Sequence, residues 1–139
     1  MAGYSGTPLI KKLGIKDNFD VAFVNAPENF VMQLELPATV NVKRISQSQA
    51  LDFIQVFVTS RTALTTAFAQ YPPKLKSNGM IWISWPKKSS GVQTDLNQNI
   101  VRDIGLAAGL VDVKVCAVDE VRSGLKFVYR VKDRPKLKR

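Results

Sequence analysis

The chain contains no histidine and a single cysteine, Cys116, among 139 residues. Without histidine the commonest general base and metal ligand is gone, so a Ser-His-Asp triad, a Cys-His pair and any histidine-bearing metal site are excluded. One cysteine can form neither an internal disulfide nor a cysteine-rich zinc site, and a reducing compartment is its simplest setting. No apolar run approaches the roughly 18 residues needed to cross a bilayer. No basic-then-apolar leader opens the chain. These absences predict a cytoplasmic protein with no membrane partner.

What is present suits one globular domain. Hydrophobic residues make up 45% and charged residues 22% of the sequence, both ordinary for a folded protein. A chain of this length buries roughly two thirds of its unfolded surface and needs no metal or disulfide staple. We assign residues 1–131 to a single α/β domain and residues 132–139 to a basic C-terminal tail. The net charge is +9. The tail holds five basic groups and one acidic one, a net of +4, which leaves +5 for the domain. Such a surplus raises the case for a polyanionic partner, although the preferred reading is a solvated tail that only aids solubility.

Strand and helix signals alternate along the chain. Thr7, Pro8 and Gly14 mark the start and end of a short helix. Residues 19–24 form an apolar strand that runs into the turn Asn25-Ala26-Pro27. Phe30, Val31 and Leu34 have helical spacing, and residues 40–45 alternate like an edge strand. Residues 51–58 are almost continuously apolar, as in a strand buried on both faces. Ser60 then caps a helix carrying Leu64, Ala67, Phe68 and Tyr71, which Pro72-Pro73 ends. Residues 74–79 read as a polar connection and 80–85 as a strand. Thr94 or Asp95 is expected to cap a helix striped with Leu96, Ile100, Val101 and Ile104. Residues 111–118 and 125–131, with Ser123-Gly124 between them, make an antiparallel pair. The predicted fold is a Rossmann-like three-layer sandwich with about six mostly parallel strands, finished by a hairpin.

The second half resembles S-adenosylmethionine-dependent methyltransferases. Leu75-Lys76-Ser77-Asn78-Gly79 followed by Met80-Ile81-Trp82-Ile83-Ser84 is similar to their "LKPGG, apolar strand" segment, and Ala108-Gly109-Leu110 stands before the next strand as it does there. Over nearly the full length, Gly3-Tyr4-Ser5-Gly6-Thr7-Pro8-Leu9, Asn25-Ala26-Pro27, Phe57-Val58-Thr59-Ser60-Arg61, Ser84-Trp85-Pro86-Lys87-Lys88 and the stretch from Gly109 to Glu120 resemble a family of small bacterial proteins of unknown function. The first resemblance implies a methyltransferase-like topology and S-adenosylmethionine as cofactor. The second implies a bacterial cytoplasmic protein and supplies no activity.

Departures from the methyltransferase pattern weigh against that cofactor. The turn after the first strand, Asn25-Ala26-Pro27-Glu28-Asn29, holds no glycine to let the backbone approach a ligand, and Pro27 has no N–H to donate. The second strand ends in Lys43-Arg44-Ile45-Ser46 rather than an acidic residue.

Ligands in open parallel sheets sit beyond the carboxyl ends of the strands, which directs attention to four loops. In Trp85-Pro86-Lys87-Lys88-Ser89-Ser90-Gly91, two lysines, two hydroxyls and a glycine precede a helix, a composition suited to a phosphate or carboxylate; the alternative is a solvated loop. Its glycine spacing is not that of a P-loop. Ser60 and Arg61 stand at another strand end, where Arg61 can fork to an anion or simply lie exposed beside a capping serine. Asn25 belongs to the first turn. Trp82 and Trp85 are three apart and face opposite ways; Trp82 reads as core, and Trp85 either stacks on a flat ligand or packs inside. The fourth loop holds Asp119 and Glu120, adjacent residues that cannot readily share a proton, so no catalytic pair is assigned. Cys116 reads as an inert packing residue.

The leading expectation is a non-catalytic binding or interaction module for an anionic or nucleotide-like ligand at the C-terminal edge of the sheet. The alternatives are a methyltransferase-like enzyme and weak, salt-sensitive nucleic-acid binding through the basic surface and tail. That tail carries no aromatic for bases to stack on.

Overall fold

A computed structural model describes residues 8–137. Its core is a six-stranded sheet with β1 at Asp20–Val24, β2 at Asn41–Val42, β3 at Leu51–Phe57, β4 at Leu75–Pro86, β5 at Leu110–Ala117 and β6 at Arg122–Tyr129. The order across the sheet is β2-β1-β3-β4-β6-β5. Strands β1 to β4 are mutually parallel, and β6 is antiparallel to both of its neighbours, β4 and β5. This is the expected mixed α/β sheet, mostly parallel with one reversed strand.

Four α-helices cover the two faces: α1 at Leu9–Leu13, α2 at Phe30–Leu34, α3 at Arg61–Gln70 and α4 at Gln98–Ala107. Strand alternation divides the core accordingly. Ala22, Ile54, Val56, Ile83, Trp85 and Phe127 point to one face and bury Leu64, Ala67 and Phe68 of α3 and Val101 of α4. Val21, Phe53, Phe57 and Trp82 point to the other and bury Leu13 of α1 and Phe30 and Leu34 of α2. Phe68 and Phe127 meet edge to face at 5.0 Å, as do Phe30 and Phe57, a geometry worth ~1 kcal/mol beyond the buried area.

Several boundaries differ from the sequence expectation. Gly14, at φ 85°, closes α1 in the left-handed region, whereas Thr7 lies outside the described residues. Only Asn41–Val42 of the alternating stretch 40–45 pairs with β1; a 3-10 turn at Ile45–Gln47 follows it. Residues 75–79, expected to be a connection, are the first part of β4. Leu75 pairs with Leu51, and the register shifts before Phe53 meets Met80. A Cβ on Gly79 would come within 2.9 Å of the Leu51 carbonyl oxygen, so this glycine permits a close strand approach and is not a turn. The cap of α4 is Asn97, whose side chain accepts the Ile100 N–H at 2.9 Å; neither Thr94 nor Asp95 takes that role. The last strand ends at Tyr129, and Val131–Leu137 coils into 3-10 turns. Arg134 Nε donates to the Tyr129 carbonyl, so the basic tail is folded back through Leu137. No helix among the described residues is long and apolar enough to cross a membrane.

Candidate functional site

The chain reverses its winding direction between β1 and β3: β2 lies to one side of β1, and β3 to β6 lie to the other. The crevice beyond the carboxyl ends of β1 and β3 is therefore the topological switch point, where doubly wound folds place ligands. A cavity of about 200 Å³ runs from Asn25 at the end of β1 along the flank of α3 to Tyr71, with Thr66 and Gln70 supplying its other polar side chains. It has no charged lining residue, and its volume is below the ~300 Å³ at which small-molecule sites begin.

Local chemistry shapes the loop beside it. Asn25 and Asn29 adopt left-handed φ values of 59° and 69°, which asparagine tolerates better than most residues. The Pro27 carbonyl accepts the Phe30 N–H at 3.0 Å, and that turn starts α2. Phe30 then plugs the space between Phe23 and Phe57. A loop that turns through proline and leads into a five-residue helix offers few free N–H groups to an approaching ligand.

The other predicted residues fall into separate places. Ser60 caps α3, accepting the Ala63 N–H at 3.1 Å. The Arg61 backbone N–H donates to the Asp95 carboxylate at 2.9 Å, and Thr94 Oγ1 donates to the Thr59 carbonyl at 2.6 Å. The N-terminus of α3 is thus already filled by a carboxylate of this same chain, with the Arg61 side chain exposed. Lys87, Lys88, Ser89, Ser90 and Gly91 form one 3-10 turn closed by Gly91 at φ 79°. Ser90 Oγ donates to the Lys87 carbonyl and accepts the Val92 N–H, while the Lys87 N–H is taken by the Val121 carbonyl at 2.7 Å. Lys88 and Ser89 are exposed and Lys87 half-buried. The turn does not lead directly into a helix, since α4 begins only at Gln98. Trp85 is 4% exposed, packed with the core on the α3–α4 face, so it presents no ring to a ligand. Among the described residues no hydrogen bond or ion pair joins the Lys87–Gly91 turn to Arg61 or Asn25.

Next to that turn, Asp119 Oδ1 accepts the N–H groups of Val121 and Arg122, and Asp119 Oδ2 holds Arg122 Nη1 at 3.1 Å. The guanidinium lies 5.9 Å from the Phe57 ring centroid. Asp119 therefore orients Arg122 and shapes the β5–β6 turn. Sequence reading missed a second cavity, of about 270 Å³, in which Leu9, Ile10, Phe30 and Gln33 meet Glu35 and Asp119. Three distant segments build it, and no local pattern marks it. No group of three or more acidic or cysteine residues placed to hold a metal ion occurs among the described residues. Burial raises the Cys116 thiol pKa, against the opposing pull of Lys114 and Lys12, which leaves the thiol poorly nucleophilic.

No protein-family model matches the sequence, and no curated protein matches it. Solved structures do match in fold. A precorrin-6y methyltransferase from Geobacter metallireducens aligns with TM-score 0.59 at 9% identity, covering 88% of this chain and 85% of that one. A ribosomal-protein methylase from Lactobacillus delbrueckii aligns with TM-score 0.56 at 11% identity, covering 88% and 75%. Fibrillarin from Aeropyrum pernix, solved with S-adenosylmethionine bound, aligns with TM-score 0.55 at 10% identity, covering 91% and 70%. The fold of this chain is methyltransferase-like.

The residues at its switch point do not fit the cofactor of that fold. The loop after β1 turns through Pro27 with no glycine, and the strand beside it, β2, has two residues followed by Lys43 and Arg44. The chain has a methyltransferase-like α/β fold.

Proposed function

We propose that this chain is a binding module on a methyltransferase-like fold, taking an anionic or nucleotide-like ligand at the C-terminal edge of its sheet without transferring a methyl group. The observation that carries this reading is the pair of loops at the switch point: the one after β1 turns through Pro27 with no glycine, and the two-residue β2 is followed by Lys43 and Arg44. A cofactor with a ribose and an amino-acid head needs a close backbone approach and a carboxylate for the ribose hydroxyls. The anionic preference rests on Arg61, Lys87 and Lys88, which follow the ends of β3 and β4, Arg61 and Lys88 exposed and Lys87 half-buried. Membership of the small bacterial family that the sequence resembles, and a place in the cytoplasm, belong to the same proposal.

A second reading, an S-adenosylmethionine-dependent methyltransferase, is favoured by the structural neighbours, one of which was solved with that cofactor.

The test is a thermal-shift series on the full chain with ATP, NAD and inorganic phosphate, repeated on Lys87→Ala/Lys88→Ala. The Lys87 N–H to Val121 bond survives the substitution, so the turn is retained. A saturable shift that weakens severalfold in the double variant supports the edge site. An equal shift in both proteins removes it.

A further inference from the structure

A cluster of lysines lies on the α1–α2 face, away from the C-terminal edge. Lys114 of β5 and Lys126 of β6 stand directly opposite each other across the antiparallel ladder. Lys126 is also opposite Trp82 of β4, four residues back from the end of that strand, or roughly 13 Å at ~3.3 Å per residue. Both ammonium groups reach the C-terminal end of α1. Lys114 Nζ donates to the Lys12 carbonyl at 2.9 Å, and Lys126 Nζ would lie 3.8 Å from a Cβ placed on Gly14. Lys11 and Lys12 occupy the last turn of that helix, and Lys16 follows it.

The nearby carboxylates are engaged elsewhere. Asp17 accepts the Thr39 hydroxyl at 2.7 Å. Asp112 precedes the register shift in β5 and pairs with Arg102 of α4 on the opposite face. Among the described residues, no carboxylate pairs with Lys16, Lys114 or Lys126. Like charges directly opposite in a sheet are destabilising, and a one-turn helix offers only a fraction of a compensating charge. Burial lowers the Lys126 pKa, and Lys114 and Lys16 lower it further. Each feature opposes the apo state, and each is relieved by one ligand chemistry.

From this arrangement we infer a second anion site: Lys16, Lys114 and Lys126, gathered at the end of α1, bind a small phosphorylated anion of the phosphate or pyrophosphate class. Three ammonium groups on one stretch of surface suit a multiply charged phosphate, with Lys acting as a point charge.

The experiment is calorimetric titration of the full chain with pyrophosphate at fixed ionic strength, on wild type and on Lys114→Gln/Lys126→Gln, with sodium chloride and a single-stranded oligonucleotide as further arms. The expected result, read in the Lys87→Ala/Lys88→Ala background so that the edge site does not contribute, is saturable pyrophosphate binding that the additional Lys114→Gln/Lys126→Gln pair weakens by roughly tenfold or more. Lysine side-chain NMR gives an independent reading: the Lys126 pKa should rise toward its ordinary value when pyrophosphate is added. Equal binding with and without that pair overturns the inference, as does a response that chloride reproduces. Binding of the oligonucleotide but not pyrophosphate, lost in the same variant, also overturns it in favour of a polynucleotide surface.

Discussion

The carboxylate of Asp95 accepts the backbone N–H of Arg61 at 2.9 Å, from 34 residues further along the chain. Thr94 makes a parallel link to Thr59. These two residues, which by sequence should start α4, instead close the junction between β3 and α3. This contact explains why the N-terminus of α3 is not itself a ready anion site: that helix end is already neutralised from within.

Asp95→Ala removes both the capping acceptor and a charge at the N-terminus of α3. The expected loss is about 1 kcal/mol, read as a lower urea midpoint with an unchanged slope. The variant should also gain stabilisation from added sulfate or phosphate beyond that of wild type, because the vacated Arg61 N–H then has an anion to bind.

Gly105 lies in α4 directly over Phe127, where an added Cβ would fall 2.2 Å from the ring. Alanine normally improves a helix interior by ~1 kcal/mol. Here the clash should dominate, and Gly105→Ala should destabilise by ~1–3 kcal/mol through overpacking. Thermal unfolding checks the sign directly.

Gln55 and Ser84 form a buried polar pair between β3 and β4, with Gln55 Nε2 donating to Ser84 Oγ at 3.0 Å. Both are 0% exposed, and Gln55 Oε1 has no partner. Ser84→Ala should cost ~1–3 kcal/mol by leaving the amide without its acceptor. Gln55→Met/Ser84→Ala should recover most of that loss, since replacing both partners removes the desolvation penalty. A double-mutant cycle measured by chemical denaturation gives the coupling.

Lys126 provides a pH test. Its pKa is lowered in the folded state, so the folded protein binds that proton less well than the unfolded chain does. Its penalty is fully present below the folded pKa and is relieved as pH rises through it toward the unfolded value. Lys126→Gln should therefore be more stable than wild type at neutral pH, with the advantage shrinking in alkaline buffer. Paired denaturation curves at neutral and alkaline pH measure the difference.

Much of the fold is legible in the sequence because strands and helices bury residues at different periods. The apolar run at 51–58 is β3, the Ser60 cap holds, and Trp82 and Trp85 face opposite sides as their spacing requires. Failures occur where tertiary pairing overrides a local signal. Residues 74–79 read as a polar connection, yet 75–79 begin β4, and Gly79 serves its approach to β3. Residues 40–45 alternate well, yet β2 stops after two residues at the sheet edge. The candidate site is less legible for the same reason. Trp85 looks available at a strand end, but α3 and α4 cover it, and the partner of Asp95, 34 residues away, depends on a fold of the chain that no local pattern encodes.

Calorimetric titration of the full chain with S-adenosylhomocysteine tests the central claim most directly. The account predicts no saturable heat, and no thermal stabilisation at concentrations where a ligand at 100 times its Kd would add ~2.7 kcal/mol. One-to-one binding that is weakened by Asn25→Ala would contradict it, and would place a working cofactor cradle at the switch point between β1 and β3.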